Sequence, residues 1–161
     1  MFSSSVELEL FFIFVLVVLN GVFSGSEIAI VSARKVRLEQ LAKRGNRKAK
    51  LALKLATAPN NFLSAVQIGI TLIGILTGAV GGATVALRLA EFLEDIPFLA
   101  PYAGPLSISL LVGFITYLSL VVGELVPKRI ALSHPEHIAC GVAPAMNLVA
   151  NVTAPLVYHL G

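Results

Sequence analysis

Two carboxylates interrupt an otherwise oily chain where charge is expensive. Glu27 closes a stretch from Leu10 to Ser26 without Asp, Glu, Lys or Arg, and Glu124 closes another from Ile96 to Gly123. Carboxylates at membrane depth face a bundle interior or a wet cavity and mark an ion or substrate path. Upstream of Glu27, Asn20 and Ser24 complete an i, i+4, i+7 pattern. On a helix these three oxygen-bearing side chains share one face over about 10 Å. In the run Gly123-Glu124-Leu125-Val126-Pro127-Lys128, Pro127 has no N–H for the Gly123 carbonyl four residues earlier. A freed carbonyl beside a carboxylate makes a hard-cation ligand pair. Ser64, Gln67, Thr71 and Thr77 offer further oxygens from a separate apolar stretch.

The donor set is carboxylate, hydroxyl, amide and carbonyl, without thiolate or imidazole. Oxygen-only sites suit Mg²⁺, Ca²⁺ or Mn²⁺ rather than Zn²⁺ or Cu⁺. Structural roles account for the same residues. Glu27 can mark a membrane interface, and Glu124 can end a helix paired with Arg34, Lys35 or Arg129. Ser64, Gln67 and Thr71 can bond between helices. His134, His137 and Cys140 recur every third residue, but Pro135 between the histidines favours an interfacial loop over a soft-metal site. No G-x-S-x-G elbow, H-E-x-x-H or P-loop is present, so no enzyme is expected.

The elements that must carry these residues follow from composition. Of 161 residues, 57% are hydrophobic and 13% charged, against about 25% charged in a soluble domain. This predicts an all-α integral membrane domain. Three spans are expected, over residues 8–31, 62–87 and 105–126, each long enough for a ~30 Å hydrocarbon core. Segment 138–158 is also apolar, but Pro144 and Pro155 predict an interfacial or re-entrant helical piece.

Nine of the twelve Lys and Arg residues lie between Arg34 and Lys54. Lying between two apolar spans, this patch reads as a juxtamembrane belt on anionic lipid, not as a nucleic-acid site. Val36, Leu38, Leu41, Ala49, Leu53 and Ala56 form its apolar stripe over residues 34–57, with a break at Gly45-Asn46. Residues 88–95 read as a short amphipathic helix on the other side. Counting Lys and Arg puts the belt in the cytoplasm, the amino terminus outside and the carboxyl terminus inside. Gly21 and Gly25, and Gly74, Gly78 and Gly82, are spaced for close helix contacts, within one chain or between two copies. Cys140 is a lone cysteine, which excludes an intrachain disulfide, and no cleavable signal peptide is evident.

Asn20-Gly21-Val22-Phe23-Ser24-Gly25-Ser26-Glu27-Ile28-Ala29, the basic segment after it, and Gly123-Glu124-Leu125-Val126-Pro127-Lys128 together resemble the transmembrane domain of the CorC/CNNM family of magnesium transporters. The resemblance covers essentially the whole chain. It implies a homodimer in the cell (inner) membrane with three membrane helices per chain. It also implies cytosolic CBS domains after the membrane part, which this chain does not include. The implied activity is Mg²⁺ export coupled to Na⁺ entry. Ser24 and Glu124 would be central ligands, with Glu27 in or beside the site; Asn20 and the Gly123 carbonyl are added as oxygen donors by the spacing and by Pro127 alone. Many members supply a span-two asparagine; here the stretch reads Val66-Gln67-Ile68-Gly69-Ile70-Thr71-Leu72, leaving Gln67 or Thr71 as substitutes. The missing asparagine also fits a second reading, a non-transporting dimeric anchor or sensor for cytosolic domains.

Overall fold

The computed structural model describes residues 2–81 and 84–160, with side chains from 5 to 81 and 84 to 159. The expectations involving Gly82 and the chain ends therefore fall outside the described residues. The described fold is entirely helical, with α1 at Phe2–Ser32, α2 at Lys35–Lys43, α3 at Arg47–Thr57, α4 at Pro59–Val80 and α5 at Thr84–Glu94. A 3₁₀ turn at Ala100–Tyr102 leads into α6 at Ala103–Leu120, a π turn at Val121–Leu125, α7 at Val126–Ser133 and α8 at Pro135–Leu160.

By length and composition, four helical stretches could cross a membrane: Ser5–Ser32, Pro59–Val80, Ala100–Ser133 and Pro135–His159. Their outward residues are those lipid would solvate, such as Phe11, Phe14, Ile75 and Tyr117, all more than half exposed.

Several elements differ from the sequence reading for identifiable reasons. The second span ends at Val80, not near 87, and α5 begins at Thr84. Gly81 closes α4 by donating its N–H to the Thr77 carbonyl, and a glycine at a helix end loses little that the helix needs. The third span does not stop at Pro127; it runs on through α7 to Ser133. The fourth segment is one continuous helix. Pro135 starts it, and Pro144 and Pro155 lie inside it. His137 and Cys140 are therefore on α8, not in a loop.

The basic belt is two short helices. Gly45, at φ 92°, turns the chain between them, and the Asn46 carboxamide caps α3 by accepting from the Ala49 N–H at 3.1 Å. Leu38, Ala49, Ala52, Leu55 and Ala56 are buried, whereas Val36, expected in the apolar stripe, is 67% exposed. These helices join the main core, where Ala29 and Ile30 of α1 meet Phe62 and Val66 of α4 and Ala139, Ala143 and Met146 of α8.

The opposite half of α1 meets the third span through glycine. A Cβ on Gly21 would stand 2.9 Å from both the Val122 carbonyl oxygen and Pro127 Cγ, and one on Gly25 would stand 3.3 Å from Pro127. Such closeness needs small residues, because lipid supplies no hydrophobic drive between helices. Gly113, by contrast, has nothing within 4 Å of the same position. Gly21→Ala should therefore destabilise the domain by about 1–3 kcal/mol through overpacking. Gly113→Ala should be neutral or stabilising by up to about 1 kcal/mol, since it only removes glycine's backbone freedom. Melting of the two detergent-solubilised variants checks this contrast.

Candidate cation-binding site

Pro127 creates the problem that organises the site. It has no N–H, so in an unbroken α-helix the Gly123 carbonyl would be stranded. The chain widens here into the π turn, and Val126 donates its N–H to the Val121 carbonyl, five residues back. The Gly123 carbonyl instead accepts from Nδ2 of Asn20 on α1, at 3.1 Å. This side-chain hydrogen bond joins helices 103 residues apart in sequence. The carbonyl expected to be free is thus engaged, with one lone pair left, and the Asn20 amide is oriented by it. Gly123 must be small for the same reason: a Cβ there would stand 3.1 Å from Asn20 Nδ2.

The π turn also aims Glu124. In an ideal α-helix Glu124 would sit about 80° round from Thr116, eight residues earlier. The extra residue in the wide turn brings it back toward that face. Glu124 lines a cavity of about 560 Å³ together with Asn20, Thr77, Thr116 and Ser119. Its apolar wall includes Val17, Ile73, Leu111 and Ile115, and Gly74 and Gly78 complete the α4 side. Every polar liner is an oxygen donor, and Glu124 carries the formal charge. Among the described residues no group of three or more His, Cys, Asp or Glu side chains is gathered.

The expected site residues separate into distinct groups. Asn20, Gly123 and Glu124 come together. Ser24, one turn along α1, does not line this cavity; it is 3% exposed. Its hydroxyl has no hydrogen-bond partner among the described residues. The other buried serines return theirs to their own helix, Ser26 to the Val22 carbonyl and Ser107 to that of Gly104. Glu27 is half-buried and outside the cavity lining. Gln67 and Thr71 are not brought to Glu124. Both are exposed and line a separate groove of about 1370 Å³ between α4 and α8, with Asn60, Ser64, Asn147 and Asn151. Of the span-two hydroxyls, Thr77 faces the carboxylate, although its hydroxyl also donates to the Ile73 carbonyl at 2.7 Å. Thr116 and Ser119 were missed by the sequence reading. Their spacing ahead of Glu124 was the available signal, and the π turn hid it.

These features define a multi-pass, all-helical membrane domain with an oxygen-lined cavity beside a broken helix. The chain belongs to the CNNM family: the model for the Cyclin M transmembrane N-terminal domain matches residues 11–161. It is 96% identical over its whole length to UPF0053 protein sll0260 of Synechocystis, of which it spans 36%. It is 32% identical over 143 residues to the Polyamine export protein of Haemophilus influenzae, covering 89% of this chain and 33% of that one. UPF0053 inner membrane protein YfjD of Escherichia coli is also 32% identical, over 88% of this chain and 30% of its own length. The chain thus spans about a third of these relatives. The family is one of membrane domains, not of enzymes.

The Asn20–Gly123 bond gives a discriminating prediction. Asn20→Leu should cost about 0.6–1.7 kcal/mol, the range for hydrogen bonds between membrane helices. Ser24→Ala, which breaks no hydrogen bond, should leave the melting temperature unchanged. Thermal melts of both variants in one detergent decide it.

Proposed function

We propose that this domain moves a hard cation, Mg²⁺ first among candidates, across the cell membrane, with the ion bound beside Glu124. The observation that carries this reading is the composition of the cavity. One carboxylate is surrounded by an amide and three hydroxyls, with no nitrogen or sulfur ligand. Mg²⁺ takes oxygen ligands and gives up its waters reluctantly. Six waters occupy about 180 Å³ at ~30 Å³ each, so a cavity of about 560 Å³ admits a hydrated ion. Glu124 supplies charge, Asn20 Oδ1 and the hydroxyls of Thr116 and Ser119 orient the water shell, and Ser24 offers an unengaged hydroxyl one turn further along α1. Partial dehydration brings the ion to Glu124 and the remaining Gly123 lone pair.

Alternating access follows from the same geometry. The π turn and Pro127 form a break in the third span, and coupled transporters bind ions at broken helices near the bilayer midplane. Pivoting there against Gly21 and Gly25 opens the cavity to one side and then the other. In the membrane we take α1, α4 and the α6–α7 rod as three crossings, with α8 lying along the basic face where it packs on α3. The amino terminus is then outside and the carboxyl terminus cytoplasmic. Two copies pair through α4 on the open side of the cavity, where Gly74 and Gly78 line it and have nothing within 4 Å of an added Cβ, and CBS domains follow in the longer protein. Coupling to Na⁺ entry is carried over from the family resemblance alone.

A second substrate class is favoured by one relative, named a polyamine export protein. A slim organic polycation also fits a cavity of this size, with one ammonium on Glu124. Flux in proteoliposomes separates the two. With Mg²⁺ as cargo, Glu124→Gln abolishes Mg²⁺ flux and calorimetric Mg²⁺ binding, Ser24→Ala weakens both, and spermidine does not compete. Reversing an imposed Na⁺ gradient then tests coupling. Unchanged Mg²⁺ flux and binding in both variants would overturn the site, and absence of any flux would favour the anchor.

A further inference from the structure

The groove of about 1370 Å³ between α4 and α8 shares no residue with the cavity around Glu124. Its polar lining is periodic. Asn60, Ser64, Gln67 and Thr71 of α4 recur at i, i+4, i+7 and i+11, and Asn147, Asn151, Ala154 and Tyr158 of α8 repeat that spacing. None of the amides and hydroxyls in these two rows hydrogen-bonds another described residue. Gln67 and Thr71 lie about 12 and 18 Å along α4 from Pro59, within the stretch Pro59–Val80 that is long and apolar enough to cross a membrane. Hydrocarbon offers such groups no partner, and leaving them bare is costly. Whatever fills the groove at this depth must bring hydrogen-bonding atoms with it.

The lining is graded from one end to the other. Where α4 begins it holds Lys54, Asn60 and Asn61, and further along α4 it ends in Leu72 and Ile75. No carboxylate lines it. Lys54 continues a row with Arg47 and Lys50, at i, i+3 and i+7 on one face of α3. None of these three is in an ion pair among the described residues. Positive charge, then amides and hydroxyls, then hydrocarbon is the order that complements a phospholipid, from phosphate through glycerol esters to acyl chain. A second copy of the chain fits less well. Two-fold pairing sets a patch against itself, so the groove would face its own concavity and Lys54 would approach its own charge.

We propose that this groove holds one anionic phospholipid from the leaflet next to the basic helices. Lys54 and the amides of Asn60 and Asn61 take the phosphate, Ser64 and Gln67 donate to the ester carbonyls, and the chains run along Leu72 and Ile75. Basic pockets between membrane helices take such headgroups. The site requires α4 to cross the bilayer, whatever the cargo at Glu124. Unlike a diffuse attraction of the belt to a charged surface, it holds one lipid at one place.

The chain has no tryptophan, so Leu72→Trp puts a single fluorescent reporter in the groove. The purified variant is placed in nanodiscs of phosphatidylcholine with a small fraction of either phosphatidylglycerol or phosphatidylcholine carrying brominated chains. At equal fraction, brominated phosphatidylglycerol should quench about fivefold more strongly, the scale of one lysine beside an anionic headgroup. Adding Lys54→Gln should remove that preference, and adding Gln67→Leu should weaken quenching by phosphatidylglycerol. Lys43→Gln, which removes a charge of α2 outside the groove lining, should leave the preference intact. Equal quenching by the two lipids overturns the proposal. So does equal loss in Lys43→Gln and Lys54→Gln, because the belt as a whole would then attract the lipid. Quenching by neither lipid also overturns it and puts water or a second copy in the groove. Should Leu72→Trp not fold, Ile75→Trp, also exposed, is read in the same way.

Discussion

The hydrogen bond from Asn20 to the Gly123 carbonyl is the contact on which the rest of the domain is arranged. Its origin is the absence of one N–H. Pro127 cannot serve Gly123, and in a bilayer no water stands ready to take over. The chain answers with a π turn and a borrowed amide from another helix. For the amide to reach, α1 must lie almost against the backbone of the third span. Gly21, Gly25 and Gly123 permit that approach, since a Cβ at any of them would meet Pro127, the Val122 carbonyl or Asn20 within 3.3 Å. One missing donor thus accounts for three glycines, one asparagine and the local helix type.

The same contact explains how a carboxylate can stand at membrane depth. Glu124 is the residue next to the engaged carbonyl, and the wide turn aims it into a cavity with Asn20 and three hydroxyls. Holding charge there requires oxygen neighbours and water, and the cavity provides room for both. A crossing made of glycine and proline is also smooth. The main hydrophobic core lies elsewhere, in the cluster of Ala29, Phe62, Ala139 and Met146 that ties α1 and α4 to the belt and α8.

The helical class was legible because composition alone demands that backbone groups be satisfied within each segment. The residues of the crossing were legible too, since Asn20, Gly123 and Glu124 break apolar runs where nothing else would justify them. Their geometry was not. A missing N–H reads from sequence as a free carbonyl, while its actual partner lies 103 residues away. The π turn leaves no local signal, so Thr116 and Ser119 stayed hidden. The α8 prolines argued for an interfacial or re-entrant piece because each removes a helical N–H donor. In one long helix packed on α3, α4 and α1, the remaining bonds suffice. Span two ended early because a hydropathy run cannot see that Gly81 closes a helix on the Thr77 carbonyl.

The position of the span-two amide bears on how tightly an ion is held. Gln67 looked like a substitute ligand because it sits on the right helix at about the right depth. Yet α4 presents two faces. Ile70, Ile73, Gly74 and Thr77 face Glu124, while Ser64, Gln67 and Thr71 face the groove toward α8. Residues 67 and 74 are seven apart, nearly two full turns, so Gln67 stands almost in line with Gly74 but about 10 Å along the axis from it, at the level of the groove and not of the cavity. The cavity is thus left with Thr77 as its one polar contribution from α4, and that hydroxyl is partly committed to Ile73. A site with one charge and few direct neutral ligands must leave much of the hydration shell in place. That suits a cargo ion, which has to be recognised by charge and size and then released, better than a structural ion, which has to be kept.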